Sequence, residues 1–414
     1  MGLRTRKFYK SLQTNFSFEW ILFALVFFSV NYIITNELNF VPISLDESKY
    51  IQKEGKLLNT NGTIIEYGIS NQPLKELIEE DLRTFLGLKT LNFLRYKKWD
   101  QFEAVNQDAY ILVDIIDLGY LTYVQVLVKF FESDQIIKLH DTKYYYFQSN
   151  QYCFENLSSS SIFFKGQYSF QSQQIKLNIY YDQEQQDEIQ SLQITFESLS
   201  ITGSLKFSKK MNEQQQVAIK PLTKQKNNFF YLIKSLCMEV KGQLQIENQH
   251  NILLNFNNTN QSIGGRNIIR GIFNYETNWS IATAKGKIQQ KDEKLINFAI
   301  SIGSSDSRDS LKLQNVVYLD GEIEAINSIK SGIQQFNDMS IPWILATDNL
   351  AIPGSFKVEF HPLYTNQIYD DLYIIKINVK QHLGYFSGFY ITKKGDIITF
   401  DKLYGVYEIN NSRW

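Results

Sequence analysis

The feature that most constrains the fold is a period-two alternation of apolar and polar residues along most of the chain after residue 105. Residues 174–179, 192–197 and 356–360 each place an apolar side chain at every second position. Because successive side chains of a strand point to opposite faces, this pattern predicts sheets with one buried and one solvated face. Such sheets are typically antiparallel, so the alternation argues against a doubly wound parallel sheet.

The number of these segments predicts two β lobes. Clusters of Gly, Asn, Asp and Ser separate the segments, as in residues 303–307, and aromatic residues, which favour strands, make up 14% of the chain. Many strands in one chain favour closed or nearly closed sheets, since closure removes exposed edges. The polar stretch 211–228 predicts a boundary between a first lobe at 71–225 and a second lobe at 226–414.

The N-terminal part of the chain predicts a membrane anchor. Residues 1–15 are basic, and no acidic residue precedes Glu19. Residues 20–34 carry no charge, and extension to 16–35 gives the roughly 20 residues that a membrane-spanning helix needs. The positive-inside rule then places the N-terminus in the cytosol or the mitochondrial matrix, with the body on the opposite side. Residues 36–70 form a predicted linker.

Two alternatives to an uncleaved anchor stay open. A cleaved signal peptide would share the apolar run, although Val30-Asn31-Tyr32 is a poor cleavage site. A mitochondrial presequence would share the basic, acid-poor start. The sequence therefore leaves a secretory or cell-surface location and the mitochondrial inner membrane unresolved.

A single amphipathic helix is predicted at residues 72–87, before the first lobe. Asn71 can cap it, Pro73 suits its first turn and Gly87 can end it. Six apolar residues then form one stripe at helical spacing: Leu74, Leu77, Ile78, Leu82, Phe85 and Leu86. A stripe of this kind is typical of core packing.

Charge and motif content exclude several functions. The net charge is −1, with no dense basic stretch beyond the N-terminus, so we expect no nucleic-acid partner. Phosphate-binding, dinucleotide-binding and nucleophile-elbow motifs are absent, and the four histidines show no metal-ligand spacing. No cofactor or metal is therefore predicted. Cys153 and Cys237 permit at most one disulfide, and the sequence does not decide whether they pair.

Several further motifs follow one another in an order that resembles that of a known family. They are Lys98-Trp99, Asp117-Leu118-Gly119-Tyr120, Arg270-Gly271, Asn278-Trp279, Asn315 with Asp320-Gly321, Ile341-Pro342-Trp343, Val358-Glu359-Phe360-His361-Pro362, Gln381-His382-Leu383-Gly384 and Arg413-Trp414. In this order they resemble the family called domain of unknown function 2804, over roughly residues 70–414. Gln314 and Asn267 stand where that family would have carboxylates, and an amide cannot titrate.

The resemblance implies an architecture. It is a mainly β chain with two consecutive antiparallel lipocalin-like barrel lobes, here preceded by the transmembrane helix and the short amphipathic helix. This architecture is similar to that of carotenoid hydratases and tocopherol cyclase-like proteins. Since an eight-stranded barrel can hold a small apolar ligand, the resemblance implies a lipid or isoprenoid ligand. The fold by itself does not fix a function.

The candidate ligand-binding residues are Trp279, Arg270, Trp343, His382 and Glu408. His382 is either a catalytic group or a hydrogen-bonded histidine at a strand bend. Arg270 either holds an anionic head group or forms an ion pair with Glu276 or Glu408. The tryptophans, including Trp99 and Trp414, either stack on a ligand or anchor the core. Glu408 can act as an acid only where an apolar pocket raises its pKa.

Two functions fit these features. The first is a single-pass membrane-anchored, non-enzymatic module that binds a lipid or serves as an accessory subunit of a membrane complex. Its partners would be the bilayer, a lipid or isoprenoid ligand and the other subunits. The alternative is a lipid- or isoprenoid-modifying enzyme of hydratase or cyclase type, with Glu408, His382 or Asp320 as the proton donor. The absence of catalytic motifs favours the first.

Overall fold

The structure, a computed structural model, describes residues 50–82, 95–133, 135–144, 166–184, 189–222, 226–247, 251–258, 261–290, 294–304, 315–327, 329–330, 339–372 and 375–413. All of them belong to one compact unit, residues 42–414.

Antiparallel strands in two curled sheets make up nearly all of the described chain. The first sheet contains β2 (Gly68–Ser70), β4 (Tyr96–Val105), β5 (Ala109–Asp117), β6 (Leu121–Phe130), β7 (Ile136–Tyr144), β8 (Gly166–Gln171), β9 (Lys176–Glu184), β10 (Ile189–Glu197), β11 (Ile201–Lys210), β12 (Gln216–Pro221), β13 (Phe229–Ile246), β14 (Ile252–Asn255) and β15 (Ile263–Ile272). Its main strand order is β7-β6-β5-β4-β15-β13-β11-β10-β9-β8.

The second sheet follows in the chain. It contains β16 (Glu276–Gln289), β17 (Leu295–Ser304), β18 (Val316–Leu319), β19 (Glu322–Ala325), β20 (Ile329–Lys330), β21 (Trp343–Thr347), β22 (Phe356–Leu372), β23 (Ile375–Ile391) and β24 (Ile397–Arg413), in the order β19-β18-β17-β16-β24-β23-β22-β21-β20. A separate parallel pair joins β1 (Gly55–Lys56) to β3 (Lys75–Glu76). The predicted mainly β class is confirmed.

Long bent strands give each sheet its curl. In the first sheet, β13 pairs with β12 and β15 along its first half and with β11 and β14 along its second. Its register shifts between Ser235 and Met238, where a bulge bends the strand and increases the local twist. In the second sheet, β22 has a similar shift at Pro362, whose nitrogen cannot donate to a ladder hydrogen bond.

Apolar side chains fill three separate cores. One lies on the concave face of the first sheet and includes Phe102, Phe207 and Val240. A second belongs to the second sheet and includes Phe360 and Phe386. The third contains residues of both sheets, among them Trp99 of β4 and Trp279 of β16, whose ring centroids are 5.6 Å apart. Burial on two faces explains why β4, β5 and β6 are buried along almost their whole length.

The prediction of an amphipathic helix at residues 72–87 is wrong for the described residues 72–82. Lys75–Glu76 form strand β3, and the described chain has a single 3₁₀ turn at Glu79–Asp81 as its only helix. Leu77 and Leu82 are buried in a cluster with residues of β12, β13 and β15, so the apolar stripe does pack on the core, but in a mostly extended conformation. Tertiary packing overrides the local pattern here. Residues 83–94 lie outside the described residues.

The membrane prediction also requires correction. Within the part of the chain that the structure describes, no helix is long and apolar enough to span a bilayer. The predicted span 16–35 lies outside the described residues, as do the basic segment 1–15 and residues 36–49 of the linker. On the finding for the described chain, the single-pass membrane location is contradicted and is not carried further.

The sheets divide the chain at a point other than the predicted lobe boundary. Strand β13, which follows residue 226, belongs to the first sheet, and the second sheet begins at β16. The predicted boundary at 225–226 concerns folding units and stays a prediction. The short connection between Ile272 and Glu276 is where the chain passes from one sheet to the other.

A row of small residues lets aromatic rings lie close to the second sheet. Ala284, Gly405 and Gly384 are register partners on β16, β24 and β23. A Cβ atom on Gly384 would stand 2.8 Å from the Phe360 ring. A Cβ atom on Gly405 would stand 1.9 Å from the Thr283 carbonyl oxygen and 2.6 Å from the Ala284 Cα. Both neighbours of Gly405 are backbone atoms, which cannot move aside cheaply.

We therefore expect Gly405→Ala to lower the free energy of unfolding by about 2–3 kcal/mol, because the added methyl group forces β16 and β24 apart. Urea denaturation measures the change. Thr399→Ala, at an exposed position of the same strand, is the matched control and should stay within about 0.5 kcal/mol of the wild type. Equal stability of the two variants would show that the strands relax without cost.

Candidate functional site

A row of polar side chains crosses the first sheet at one level. Gln125, Asp114, Gln101, Asn267 and Lys234 are register partners on the neighbouring strands β6, β5, β4, β15 and β13. Paired residues of antiparallel strands point to the same face, so these side chains lie side by side. Asp114, Gln125 and Lys234 are 0% exposed, and the other two are buried as well. Buried polar groups are costly without partners, so the facing layer has to supply them.

The second sheet supplies partners from a shorter row. Asn366, Gln381 and Glu408 are register partners on β22, β23 and β24, and all three are buried. Asn366 Nδ2 donates to Gln125 Oε1 over 2.9 Å, and Gln381 Nε2 donates to Asp114 Oδ2 over 2.8 Å. Side-chain hydrogen bonds thus join the two sheets face to face. We call these eight residues the polar seam.

Two glutamine amides bridge the two carboxyl groups of the polar seam. Gln381 Nε2 donates to Asp114 and also to Glu408 Oε2, the latter over 2.7 Å. Gln101 Nε2 donates to Asp114 Oδ1 over 2.9 Å and more weakly to Glu408 Oε2 over 3.4 Å. The Trp99 indole donates to Asp114 Oδ1 over 3.3 Å. Asp114 therefore accepts on both oxygens, whereas both bonds to Glu408 end on Oε2.

The surroundings make Glu408 a weak acid. Burial, and then the negative charge of Asp114, raise the pKa of Glu408 to about 8, against the opposing effect of the Gln381 hydrogen bond. Burial also raises the pKa of Asp114, while its four donors favour the ionised form. Two neighbouring carboxyl groups with different environments are the usual basis for separate acid and anion roles. Near pH 7, Glu408 is therefore largely protonated, and Gln381 and Gln101 both donate to its Oε2.

A buried ion pair lies one row further along the same face. Glu103 of β4 and Lys285 of β16 pair across the two sheets, and both are almost fully buried. The Tyr110 hydroxyl also donates to Glu103, as does Thr283 Oγ1 over 3.3 Å. Gly265 makes room for the lysine, because a Cβ atom there would stand 2.8 Å from Lys285 Cε. This charge pair is thus satisfied within the protein.

An apolar pocket adjoins the polar seam on its other side. Trp99 and Ile269 stand two residues before Gln101 and two residues after Asn267, on the same strand faces as the seam residues. They line the pocket together with Ile116, Leu118, Phe230, Phe273, Trp279, Lys97 and Lys98. The cavity measures about 20 Å³ and is walled mainly by apolar atoms. It has room for about one water molecule. Trp99, which lines the pocket, also donates to Asp114, so this side chain links the pocket to the carboxyl pair.

The structure places two predicted residues at this site and one elsewhere. Glu408 belongs to the polar seam, and Trp279 lines the pocket. Arg270 lies on the opposite face of β15, where Nη1 pairs with Asp100 Oδ1 at 2.6 Å. Its ion pair is therefore with Asp100, in place of the predicted Glu276 or Glu408.

The other two predicted residues lie in the core of the second sheet. Trp343 packs edge-on against His382, with ring centroids 4.8 Å apart, and also against Tyr407. His382 Nδ1 shares a 2.8 Å hydrogen bond with Thr365 Oγ1, and Nε2 is buried without a partner among the described residues. Burial, and then the charge of Lys380, lower the pKa of His382 to about 4. His382 is thus neutral at pH 7.

The remaining predicted positions do not join the site. Asp320 is about half exposed and pairs with Lys294 on the surface, which removes it from the candidate proton donors. Trp414 and Cys153 lie outside the described residues, and the described Cys237 has a free thiol. No group of His, Cys, Asp or Glu in the described ranges has the arrangement of a metal site.

Sequence reasoning missed most of the polar seam. Asp114 is the one charged residue in the otherwise apolar stretch 110–116, and a charge inside such a run was an available signal. Lys234 likewise interrupts the apolar residues 229–233. Both stand at positions that alternation assigns to a buried face. What the sequence did not show is which strands would place them side by side.

Fold and site together define a mainly β protein whose two curled antiparallel sheets enclose a bridged pair of carboxyl groups. The chain belongs to the family "Domain of unknown function (DUF2804)", whose profile matches residues 48–414. The predicted resemblance is thereby confirmed. No curated protein shows significant sequence similarity to the chain.

Two solved structures align with most of the chain at low identity. Kievitone hydratase from Nectria haematococca is 11% identical, covers 87% of this chain and 97% of its own, and superposes with a TM-score of 0.44. CghA with Sch210972 is 8% identical, covers 77% of this chain and 88% of its own, and has a TM-score of 0.43. At this distance, the function has to be argued from this chain's own residues.

The raised pKa of Glu408 predicts how stability changes with pH. In the unfolded chain this carboxyl titrates near 4.5, and in the folded protein near 8. The folded state holds the extra proton, so this contribution to stability is complete below pH 4.5 and is lost as pH rises to 8. Glu408→Gln removes this pH-dependent contribution. We therefore expect the unfolding free energy of the variant, relative to that of the wild type, to increase by about 1–3 kcal/mol from pH 5 to pH 8.

Urea unfolding of both proteins across that pH range measures the difference. Asp114 and Lys234 interact with Glu408, so the difference between the two proteins measures the titration of Glu408 together with its effect on these neighbours. Parallel stability curves for the variant and the wild type would show that Glu408 has no raised pKa.

The lowered pKa of His382 predicts the opposite dependence of stability on pH. Its folded pKa of about 4 lies below the ordinary value of 6.5, so the unfolded state binds the extra proton in between. We expect stability to fall as pH drops from 6.5 to 4, and His382→Phe to flatten that part of the curve relative to the wild type. Imidazole titration by NMR gives the pKa directly. A midpoint near 6.5 would contradict the buried, neutral state.

Proposed function

We propose that this protein is an acid–base enzyme that acts on an apolar small molecule, with Glu408 as the proton donor. The observation that carries the proposal is the bridged pair Asp114–Glu408, in which two buried carboxyl groups share two amide donors near an apolar pocket. A general acid is most effective when its pKa lies near the working pH, and a value of about 8 meets that condition. The proposed chemistry is the hydratase or cyclase type.

Each residue of the site has a part in this reaction. Glu408 Oε1 delivers the proton to a carbon–carbon double bond or to an oxygen of the bound molecule. Gln381 and Gln101, which hold Oε2, fix the direction of the acid. Positive charge that develops on the substrate is stabilised by the Asp114 carboxylate and by the faces of Trp99 and Trp279. The apolar wall keeps bulk water away from that charge.

Substrate binding requires the pocket to widen. A cavity of about 20 Å³ holds a water molecule and no isoprenoid. Phe273 lies in the connection between the two sheets, Trp279 follows it on β16, and both line the pocket. Rearrangement of these side chains is the smallest change that would extend the pocket toward the acid, and a water already present would be a reactant for hydration.

The test is proton exchange. The purified protein is incubated in deuterium oxide with a panel of isoprenoid alkenes and their alcohols, and mass spectrometry measures deuterium uptake at carbon. Glu408→Gln keeps an acceptor for the two amide donors but cannot release a proton, so we expect uptake to fall at least about 100-fold.

Asp320→Asn is the control, since it makes the same change at a surface carboxylate that pairs only with Lys294. It should retain the wild-type rate. Equal uptake by the wild type and Glu408→Gln, or no uptake above the protein-free reaction for any substrate, would contradict the proposal.

A lipid-binding module without catalysis is the second candidate. The observation in its favour is the aromatic group Trp343, Phe360 and Tyr407 around the neutral His382 in the core of the second sheet. Aromatic rings with a few polar groups are typical of ligand sites. Native mass spectrometry with lipid extraction separates the two functions: a retained lipid that the protein does not alter would favour this candidate.

A further inference from the structure

Lys234 has unusual surroundings for a lysine. The whole residue is 0% exposed, and its Nζ donates to one neutral group, Ser301 Oγ, over 3.0 Å. Among the described residues it forms no ion pair. A buried ammonium ion without a carboxylate is strongly disfavoured, so the amine tends to lose its proton.

The nearby Lys285 shows the contrast. It is equally buried, and burial lowers its pKa as well, but the carboxylate of Glu103 pairs with it and opposes that change. Burial is also the main cause that lowers the pKa of Lys234, and the positive charge of Lys285 adds to it against the larger opposing effects of Glu103 and Glu408. A desolvated amine beside a second cation is one of the known ways to activate a lysine as a nucleophile.

Strand register places Lys234 inside the candidate site. It lies next to Asn267 in the polar row, two residues beyond Leu232 and four beyond Phe230, which lines the apolar pocket. Alternation puts all three residues of β13 on the same face. Asn267 Oδ1, which is buried, has no hydrogen-bond partner among the described residues. The row thus presents an amine and an unused acceptor beside the carboxyl pair.

Lys97, which lines the apolar pocket, is a competing candidate for a reactive amine. Burial lowers its pKa to about 7 as well. However, its Nζ donates to the Leu118 carbonyl over 2.7 Å and stands 4.4 Å from the centroid of the Tyr120 ring. A carbonyl oxygen and an aromatic face both favour the charged ammonium. The Ser301 hydroxyl, in contrast, can donate to a neutral amine as well as accept from an ammonium.

We propose that Lys234 is a reactive amine that condenses with an apolar aldehyde or ketone bound between the two sheets. This inference rests on the proposed function of the polar seam as the active site, and it names the substrate class as carbonyl compounds. A covalent link of this kind would hold the substrate where Glu408 can reach it.

The step balances without any oxidant or reductant. The nitrogen lone pair of the neutral Lys234 attacks the carbonyl carbon as the C=O π bond opens, and one of the two amine protons moves to the oxygen to give a carbinolamine. Glu408 then protonates the hydroxyl group, which leaves as water, while the remaining nitrogen proton is lost to the Glu408 carboxylate. The products are an imine, water and the regenerated acid. Hydrolysis of the imine by water restores the lysine.

The charged groups that face Lys234 agree with this role. Burial is the main cause that lowers its pKa, to about 7, while the charges of Glu103 and Glu408 oppose the change and that of Lys285 adds to it. About half of the amine is then free at pH 7. A solvent-exposed lysine, with a pKa near 10.4, has less than about one amine in a thousand free at that pH.

Reductive trapping tests the inference on the whole protein. The wild type is incubated at pH 7 with octanal and sodium cyanoborohydride, and peptide mass spectrometry follows the octyl group on each lysine. We expect Lys234 to be labelled at least about 100-fold faster than Lys294, which is more than half exposed and pairs with Asp320. In concentrated urea the two rates should become equal, because the difference depends on the fold.

Two variants separate this inference from the proposed function. Lys234→Met should lose the fast octyl label at position 234 and keep the labels on all other lysines, and circular dichroism checks its fold. Glu408→Gln should keep part of the fast labelling of Lys234. Labelling of Lys234 no faster than Lys294, or fast labelling of Lys97 alone, would overturn the inference even if proton exchange still depends on Glu408. Fast labelling without any Glu408-dependent exchange would leave the inference standing and count against Glu408 as the acid.

Discussion

The hydrogen bonds from Gln101 and Gln381 to the buried carboxyl groups of Asp114 and Glu408 are the interaction on which the arrangement of the two sheets depends. Each of these carboxyl groups would be costly to bury alone, and each accepts hydrogen bonds from a glutamine of its own sheet and from a glutamine of the facing sheet. A polar layer with nearly all partners satisfied permits one docking position, since a shift of one residue would leave several groups unpaired. The apolar residues around the layer stabilise the contact between the two sheets through their burial, and the polar layer fixes the register of that contact.

The cores inside the two sheets are apolar, and the groups suited to acid–base chemistry lie at the contact between the sheets. Apolar and aromatic side chains fill the inner face of each sheet, and the glycine row at Gly384 and Gly405 lets the rings of the second core lie close to the strands. Five deeply buried titratable groups lie between the sheets instead, namely Asp114, Glu408, Glu103, Lys234 and Lys285. Burial raises the pKa of Asp114 and Glu408 and lowers that of Lys234 and Lys285, and such shifts give a carboxyl group and an amine useful reactivity near pH 7.

The site could be predicted from sequence only in part. Glu408 and Trp279 were named as candidates, and the structure brings both to the contact between the sheets. Asp114 and Lys234 were not named, although each interrupts an apolar strand. Arg270 was expected beside Glu276 or Glu408, but strand alternation turns it to the opposite face of β15, toward Asp100. One residue of difference in strand position decides the face, and therefore the partner.

The sequence by itself determined the mainly β class, the antiparallel pairing and the family, because alternation of apolar and polar residues is a local property of each strand. The same local reasoning failed at residues 72–87, where an apolar stripe at helical spacing is held extended by contacts with distant strands. Only the tertiary structure decided which polar residues face one another and which carboxyl groups share an amide. Those contacts join residues up to 307 positions apart, as between Gln101 and Glu408, and no pattern along the chain encodes that distance.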